Sequence, residues 1–270
     1  MGKSGEHFFR EVSKKKRIFA PEMRRYALIG RRLGHSWSQR WFEALFERLG
    51  LDDHTYSLHE TESLDSIRQW IEREDIAGFN VTIPYKEAIV PLLDGLDAEA
   101  EAIGAVNCVS VEHGRLVGHN TDAPAFGQTL SEAGLPEGSI FVLGTGGAAH
   151  AVGHALDLLG KKWLPVSRHP EAHRRAIGYG DLTPAMLEEA ALVVNSTPVG
   201  MHPDSDRSPL DLSGVHRMRG LVYDLVYNPS PTLLLRQATA RGARTADGLA
   251  MLHRQAELSW AIWRGKNQGI

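Results

Sequence analysis

Gly144-Thr145-Gly146-Gly147-Ala148-Ala149 follows the apolar run Ile140–Leu143 and opens a helical pattern. The spacing is G-x-G-x-x-A in the setting that a dinucleotide requires: strand, tight turn, helix. Gly144 permits the turn, Gly146 lets the backbone approach a pyrophosphate, and Ala149 lets the helix pack close to the strand. The helix N-terminus would present free N–H groups and partial positive charge to the phosphates. Roughly 20 residues further on, an NAD site places Asp or Glu against the ribose 2′-hydroxyl. This chain has Ser167-Arg168-His169 there, with Arg174 and Arg175 nearby. An arginine can pair with a 2′-phosphate and stack on adenine, so the pattern favours NADP over NAD. The competing reading of Arg168 is a solvated loop charge.

A second set of polar residues lies in the first half. Asn80 and Thr82 alternate on one extended segment, which predicts that they share a face, and Lys86 follows one turn later. Asn107 sits in a hairpin pattern, and Asp122 stands where a helix begins. Polar groups at the C-terminal ends of parallel strands lie where open α/β sheets bind ligands. Singly, each has a plain structural reading: Asp122 as a helix cap, Asn107 as a hairpin brace, Lys86 as a solvated charge. Jointly they point to a small polar ligand. Ser36 and Ser38 flank Trp37 in a loop after the first strand and could share a carboxylate, or cap a helix. The stretch is not a G-x-S-x-G nucleophile turn, because Ser38 stands in the place of the last glycine.

The elements that would carry these groups alternate. Short apolar runs at Tyr26–Ile29, His54–Leu58 and Ala77–Val81 read as strands. Helical spacing runs through Trp41–Leu49 to a stop at Gly50, and again through Leu64–Ile71. Pro84 suits the first turn of a helix reaching about Leu93. A hairpin over Ala105–Gly118 turns at His113-Gly114, and a helix runs from Asp122 toward Ala133. After the loop Ser131–Ser139 come the strand Ile140–Leu143, the helix Ala148–Leu159, and strands at Trp163–Val166, Leu192–Asn195 and Gly220–Val226. The final helix, Leu249–Trp263, is amphipathic and is expected to cross back to the first half.

This order predicts two α/β domains: an N-terminal substrate domain with a mainly parallel sheet, and a C-terminal Rossmann-like domain. The expected ranges are 23–123 plus 249–270 for the first and 124–248 for the second, with hinges near Ala123–Pro124 and Thr245–Gly248. Residues 1–22, with Lys14 to Arg17, read as a frayed extension. The 270 residues suffice for two cores, and a net charge of −3 steers nothing toward nucleic acid or an anionic membrane. The lone Cys108 fits a reducing cytoplasm. No apolar run approaches the ~20 residues that span a bilayer. His150/His154 and His169/His173 are i, i+4 pairs without an acidic partner in metalloprotease spacing, so no metal is expected.

Taken in order, the motifs resemble the shikimate dehydrogenase family. The likeness is carried by Tyr26-Ala27-Leu28-Ile29-Gly30 with Gly34-His35-Ser36-x-Ser38, by Asn80-Val81-Thr82-Ile83-Pro84-Tyr85-Lys86, by Gly104-Ala105-Val106-Asn107 and by Asn120-Thr121-Asp122. It continues through Asn195-Ser196-Thr197-Pro198-Val199-Gly200-Met201, Tyr223 to Pro229, and Gly248-Leu249-Ala250-Met251-Leu252-x-x-Gln255. The resemblance implies reversible, NADPH-dependent reduction of 3-dehydroshikimate to shikimate, without metal, by a monomer or homodimer. It implies Lys86 and Asp122 as the catalytic pair, and Ser36, Ser38 and Tyr227 on the carboxylate side. Asn80, Thr82, Asn107, Asp122 and Gln255 would hold the ring oxygens. Gly144, Thr145, Gly146, Gly147, Ala148, Ser167, Arg168, Thr197, Leu225 and Gly248 would border the cofactor. Two rival readings are a quinate/shikimate dehydrogenase using NAD and a non-catalytic sensor of such ligands; the presence of both Lys86 and Asp122 speaks against the sensor. The chain departs from the family pattern at Arg31-Arg32-Leu33, where Asn-Pro is usual, at Gln39 for Pro, at Cys108 for Thr, and at Ser167-Arg168-His169 for Asn-Arg-Thr.

Overall fold

The computed structural model describes residues 23–34, 36–134 and 137–265. The N-terminal extension, His35, Leu135 and Pro136 lie outside the described residues. The first half runs β1 (Arg24–Gly30), α1 (Trp37–Leu49), β2 (His54–Glu60), α2 (Ile67–Glu74), β3 (Ile76–Val81), β4 (Gly95–Leu96), α3 (Ala98–Ile103), β5 (Cys108–Glu112), β6 (Arg115–His119) and α4 (Asp122–Ala133). The second half runs β7 (Ile140–Leu143), α5 (Gly147–Leu158), β8 (Leu164–Ser167), β9 (Ile177–Gly178), α6 (Pro184–Glu189), β10 (Leu192–Asn195), β11 (Leu221–Asp224), α7 (Leu233–Thr239), β12 (Arg244–Asp247) and α8 (Leu249–Arg264).

The first sheet has six strands in the order β2-β1-β3-β5-β6-β4. β1 pairs in parallel with β2 and β3, whereas β5 is antiparallel to both β3 and β6. The last five residues of β1 are buried, as expected of a central strand covered on both faces. The β5–β6 hairpin closes through His113 and Gly114, both at positive φ (52° and 78°), which is the turn geometry that matches strand twist. The second sheet is wholly parallel, in the order β12-β11-β10-β7-β8-β9. Its strand order reverses between β7 and β10, as in the doubly wound dinucleotide-binding arrangement, which places the crevice beside Leu143 and Asn195.

The two sheets are bridged by helices. α4 packs on both α5 and α8. α8 returns to the first sheet, where the Trp263 indole stacks on Tyr26 at 4.8 Å and its Nε1 donates to the Val109 carbonyl at 3.0 Å. Gly78 makes this docking possible, since a Cβ there would lie 2.5 Å from Trp263 Nε1.

One expected element is absent. The stretch from Pro84 to Leu93 forms successive turns and a single 3-10 turn, Val90–Leu92, rather than a helix. Pro91 has no N–H to give to the Glu87 carbonyl, which bonds Val90 instead at 3.2 Å. The Lys86 carbonyl is taken by the Val106 N–H at 2.7 Å, a bond from outside the segment. β4, β9 and this 3-10 turn are too short to leave a periodic trace in the sequence.

Candidate active site

Each element delivers one part of the site. Lys86 leaves β3 on the turned segment just described, and its carbonyl bond to Val106 fixes the backbone beneath it. Asp122 is the first residue of α4. Its backbone N–H and that of Ala123 both donate to Asn120 Oδ1 at 3.1 Å, while Asn120 Nδ2 donates to the Ala105 carbonyl at 2.8 Å. Asn120, one residue before the Thr121 N-cap, thus takes the first two amides of α4, and the Asp122 carboxylate is not the capping group, contrary to its plain structural reading. Lys86 Nζ donates to Asp122 Oδ2 at 2.6 Å, with side chains 16% and 8% exposed. A charge pair this sheltered is screened far less than a surface pair.

The other first-half candidates differ in how much hydrogen-bonding capacity they keep. Asn107 is buried; its Oδ1 accepts from the Thr121 N–H at 2.7 Å and its Nδ2 donates to Thr121 Oγ1 at 2.9 Å, leaving one N–H over. Gln255 is buried and spends one N–H on the Leu252 carbonyl. Thr82 stands beside Gly30, whose absent Cβ would meet Thr82 Cγ2 at 2.7 Å. Asn80 is turned inward: its Nδ2 donates to the Asn107 carbonyl and to Ser259 Oγ, and its Oδ1 accepts from the Tyr56 hydroxyl at 2.8 Å. With both donors committed, Asn80 braces the sheet to α8 and does not share a free face with Thr82, as simple alternation would have it. Ser36 is the N-cap of α1, accepting from the Ser38 N–H at 3.2 Å. Tyr227 is half-buried, and burial pushes its hydroxyl pKa up.

A cavity of about 730 Å³ opens between the halves. Its floor is the glycine turn Gly144–Ala148, and its walls include Ser167, Arg168, Thr197 and, from the first half, Lys86 and Glu87. The volume suits a ligand of cofactor size. Gly144 takes φ 109°, and a Cβ there would lie 2.8 Å from Ser196 Oγ. Gly146 caps α5 without any side-chain hydrogen bond, so the first N–H groups of that helix stay open to an anion. A Cβ at Gly146 would have only Glu87 Oε1 near it, at 3.9 Å, so the cradle has room for a phosphate. These features fit a dinucleotide. Leu225 and Gly248 do not line the cavity; they press on each other, with a Gly248 Cβ falling 2.0 Å from the Leu225 carbonyl oxygen.

Several wall residues are not apparent from the sequence: Glu87, His173, Tyr179 and Arg207. None belongs to a motif with a fixed spacing to the glycine turn. The hub behind Thr197 is equally hidden. Asn195 Oδ1 accepts from the Thr197 N–H and hydroxyl at 3.0 and 2.7 Å, and its Nδ2 donates to Asp224 Oδ1 at 2.8 Å. Asp224 is fully buried; burial pushes its pKa up, while donors from Thr232, Val226 and Asn195 act the other way. His150 and His154 face Glu87 and Glu99 at 3.9 and 3.7 Å, and among the described residues no three His, Cys, Asp or Glu side chains gather as a metal site.

A doubly wound sheet with an open glycine turn, facing a lysine–carboxylate pair on a second α/β unit, defines a two-domain dinucleotide-dependent oxidoreductase. Residues 28–109 match the family model described as the shikimate dehydrogenase substrate binding domain. The chain is 37% identical over 262 residues to "Shikimate dehydrogenase (NADP(+))" of Shouchella clausii (strain KSM-K16), covering 90% of this chain and 94% of that protein. Among solved structures it resembles shikimate 5-dehydrogenase from Thermus thermophilus in complex with NADP(H) and shikimate. That match has a TM-score of 0.78 and 36% identity, over 89% of this chain and 93% of the other. Quinate dehydrogenase from Corynebacterium glutamicum in complex with NAD is similar at TM-score 0.77 and 28% identity, over 90% and 94% of the two chains. The chain belongs to the shikimate dehydrogenase family.

Proposed function

We propose that this protein is an NADP-dependent shikimate dehydrogenase that reversibly reduces 3-dehydroshikimate to shikimate on the route to chorismate and the aromatic amino acids. The observation that carries the reading is the 2.6 Å contact of Lys86 with Asp122, made by a lysine that also lines the cavity above the glycine turn. The cofactor, when bound, supplies the hydride. Reduction builds negative charge on the ketone oxygen. The Lys86 ammonium stabilises that charge and delivers a proton from Nζ to the oxygen; in the reverse direction Nζ takes the proton back. Asp122 Oδ2 keeps the ammonium aimed and accepts a ring hydroxyl.

Thr82, Asn107 and Gln255, each with hydrogen-bonding capacity to spare, hold the remaining ring oxygens. Asn80 keeps Asn107 in place rather than touching the substrate. Ser36, Ser38 and Tyr227 take the substrate carboxylate. Gly144, Thr145, Gly146, Gly147 and Ala148 cradle the pyrophosphate, Arg168 with Ser167 takes the 2′-phosphate, and Thr197 borders the remaining end of the cofactor, while Leu225 and Gly248 pack on each other outside the cavity wall. In this reading residues 23–123 with 249–270 form the substrate-binding domain and 124–248 the cofactor domain. We place the enzyme in the cytoplasm, consistent with the buried, unbridged Cys108, acting on free small molecules as a monomer or homodimer. Among the described residues no helix is long and apolar enough to cross a membrane. The test is the loss of NADPH absorbance when 3-dehydroshikimate is added. Initial rates with shikimate and quinate, each with NADP and NAD, are expected to favour shikimate with NADP. Absence of turnover with 3-dehydroshikimate would overturn the assignment.

A further inference from the structure

The sequence after Gly30 reads Arg31-Arg32-Leu33-Gly34 and leads to Ser36, the first of the two serines. Glu60, at the end of β2, stands in register beside Gly30. Its Oε1 accepts from the backbone N–H groups of Leu33 at 2.7 Å and Gly34 at 3.1 Å. The Thr61 N–H donates to the Gly30 carbonyl at 3.0 Å, and Arg31 pairs with Glu62 at 3.2 Å. The Leu33 side chain is buried, and a Cβ on Gly30 would lie 2.5 Å from Leu33 Cδ2, so that side chain fills the space the glycine leaves. Leu33 and Gly34 are thereby clamped to the end of β2, two residues short of Ser36 in the sequence. The two amide donors also hold the Glu60 carboxyl below its ordinary pKa.

We propose that Glu60 is a positioning residue for substrate binding: by anchoring the Leu33 and Gly34 amides it sets the place of the Ser36 hydroxyl and of the α1 N-terminus at the carboxylate end of the substrate. The inference rests on the assignment of Ser36 and Ser38 to that carboxylate. A hydrogen bond to a charged acceptor is stronger than a neutral one, and two share this oxygen.

The experiment compares E60A, E60Q, S36A and the double variant E60A/S36A. Steady-state kinetics is combined with calorimetric titration of shikimate into the cofactor-free protein. E60A is expected to raise both KM and Kd for shikimate about tenfold, with kcat and the KM for NADP within about twofold of the parent. E60Q keeps a carbonyl oxygen for both amides, so it should restore most of the affinity. S36A should weaken shikimate at least as much as E60A, and the double variant should be little worse than S36A alone, because both act through one contact. If S36A weakens shikimate and neither Glu60 variant does, the Glu60 inference is overturned and the serine assignment stands. If S36A leaves shikimate affinity intact, the serine assignment itself fails. A general loss, with kcat and both KM values impaired together in E60A and E60Q, would reduce Glu60 to a fold-stabilising residue and also overturn the inference.

Discussion

At the scale of single residues, the chemistry is concentrated in a short list of polar atoms with unspent capacity. Lys86 and Asp122 meet at 2.6 Å in a sheltered setting, and in the proposed mechanism this pairing would need little further reorganisation as charge builds on a bound ketone. Lys86→Ala is expected to lower kcat by ~10²–10⁴ with little change in substrate affinity, because the ammonium matters most once negative charge has developed. Stopped-flow and steady-state rates with NADPH measure it, and a fully active variant would remove Lys86 from the mechanism. Arg168 makes a different prediction. If it takes the 2′-phosphate, Arg168→Ala should raise the KM for NADP about 10- to 100-fold while the KM for NAD stays nearly constant. Equal effects on both cofactors would return Arg168 to the status of a loop charge. Asn80 shows the opposite case: a polar residue inside a site motif that is consumed by internal bonds to Tyr56, Asn107 and Ser259.

At the scale of elements, the site depends on how short segments are pinned. Asp97 caps α3 by accepting from the Ala100 N–H at 2.7 Å, and its other oxygen meets His119 Nδ1 at 2.8 Å, at the end of β6. β6 leads directly into Asn120, Thr121 and Asp122, so this brace fixes the strand end from which the Asp122 carboxylate departs. Burial pushes the Asp97 carboxyl up, but the His119 and Ala100 donors outweigh it and hold the group below its ordinary 3.8. A depressed carboxylate contributes stability that is present above its unfolded pKa and lost as pH falls through its native one. Asp97→Ala should therefore cost about 1 kcal/mol at neutral pH, the usual worth of an N-cap. The gap to the parent should narrow in acid, as the pH falls below 3.8 and through the lowered native value. Urea unfolding at both pH values checks this; a gap that stays constant in acid would show that the ionised carboxylate is not what stabilises α3.

At the scale of the whole molecule, the described chain crosses between the sheets twice, once through α4 and once at the step from β12 into α8. The two crossing helices pack on each other. Ala123 and Pro124 lie in the first turn of α4, so bending there would break helical bonds, whereas Thr245–Gly248 ends a strand just before α8. Lys86 and the glycine turn already lie side by side, since a Cβ on Gly147 would fall 3.0 Å from Lys86 Cβ, and closure about this paired crossing would narrow the rest of the cavity over a ligand. NADP with shikimate is therefore expected to lower the radius of gyration in solution scattering. At a concentration about 100 times its Kd, each ligand should add about 2.7 kcal/mol to stability, seen as a rise in Tm. An unchanged radius with both ligands bound would mean that the cleft is already closed.

How much of this was legible in the sequence follows from the range of the forces involved. Periodicity and turn chemistry act over a few residues, and they determined β7, the span of α4, the β5–β6 hairpin, the glycine turn opening α5, and the return of α8. The same local signals determined which side chains were candidates, since Lys86, Asp122, Arg168 and the glycines sit in fixed spacings. Only the tertiary structure decided that residues 84–93 form turns, because a carbonyl of that stretch is claimed by Val106 from a distant segment. It alone separated Asn80, whose amide is spent, from Asn107, which keeps a donor, and it alone brought Glu60, Glu87 and Arg207 beside loops remote in sequence. Hydrogen-bond partners are chosen by packing across the chain, and no local pattern records them.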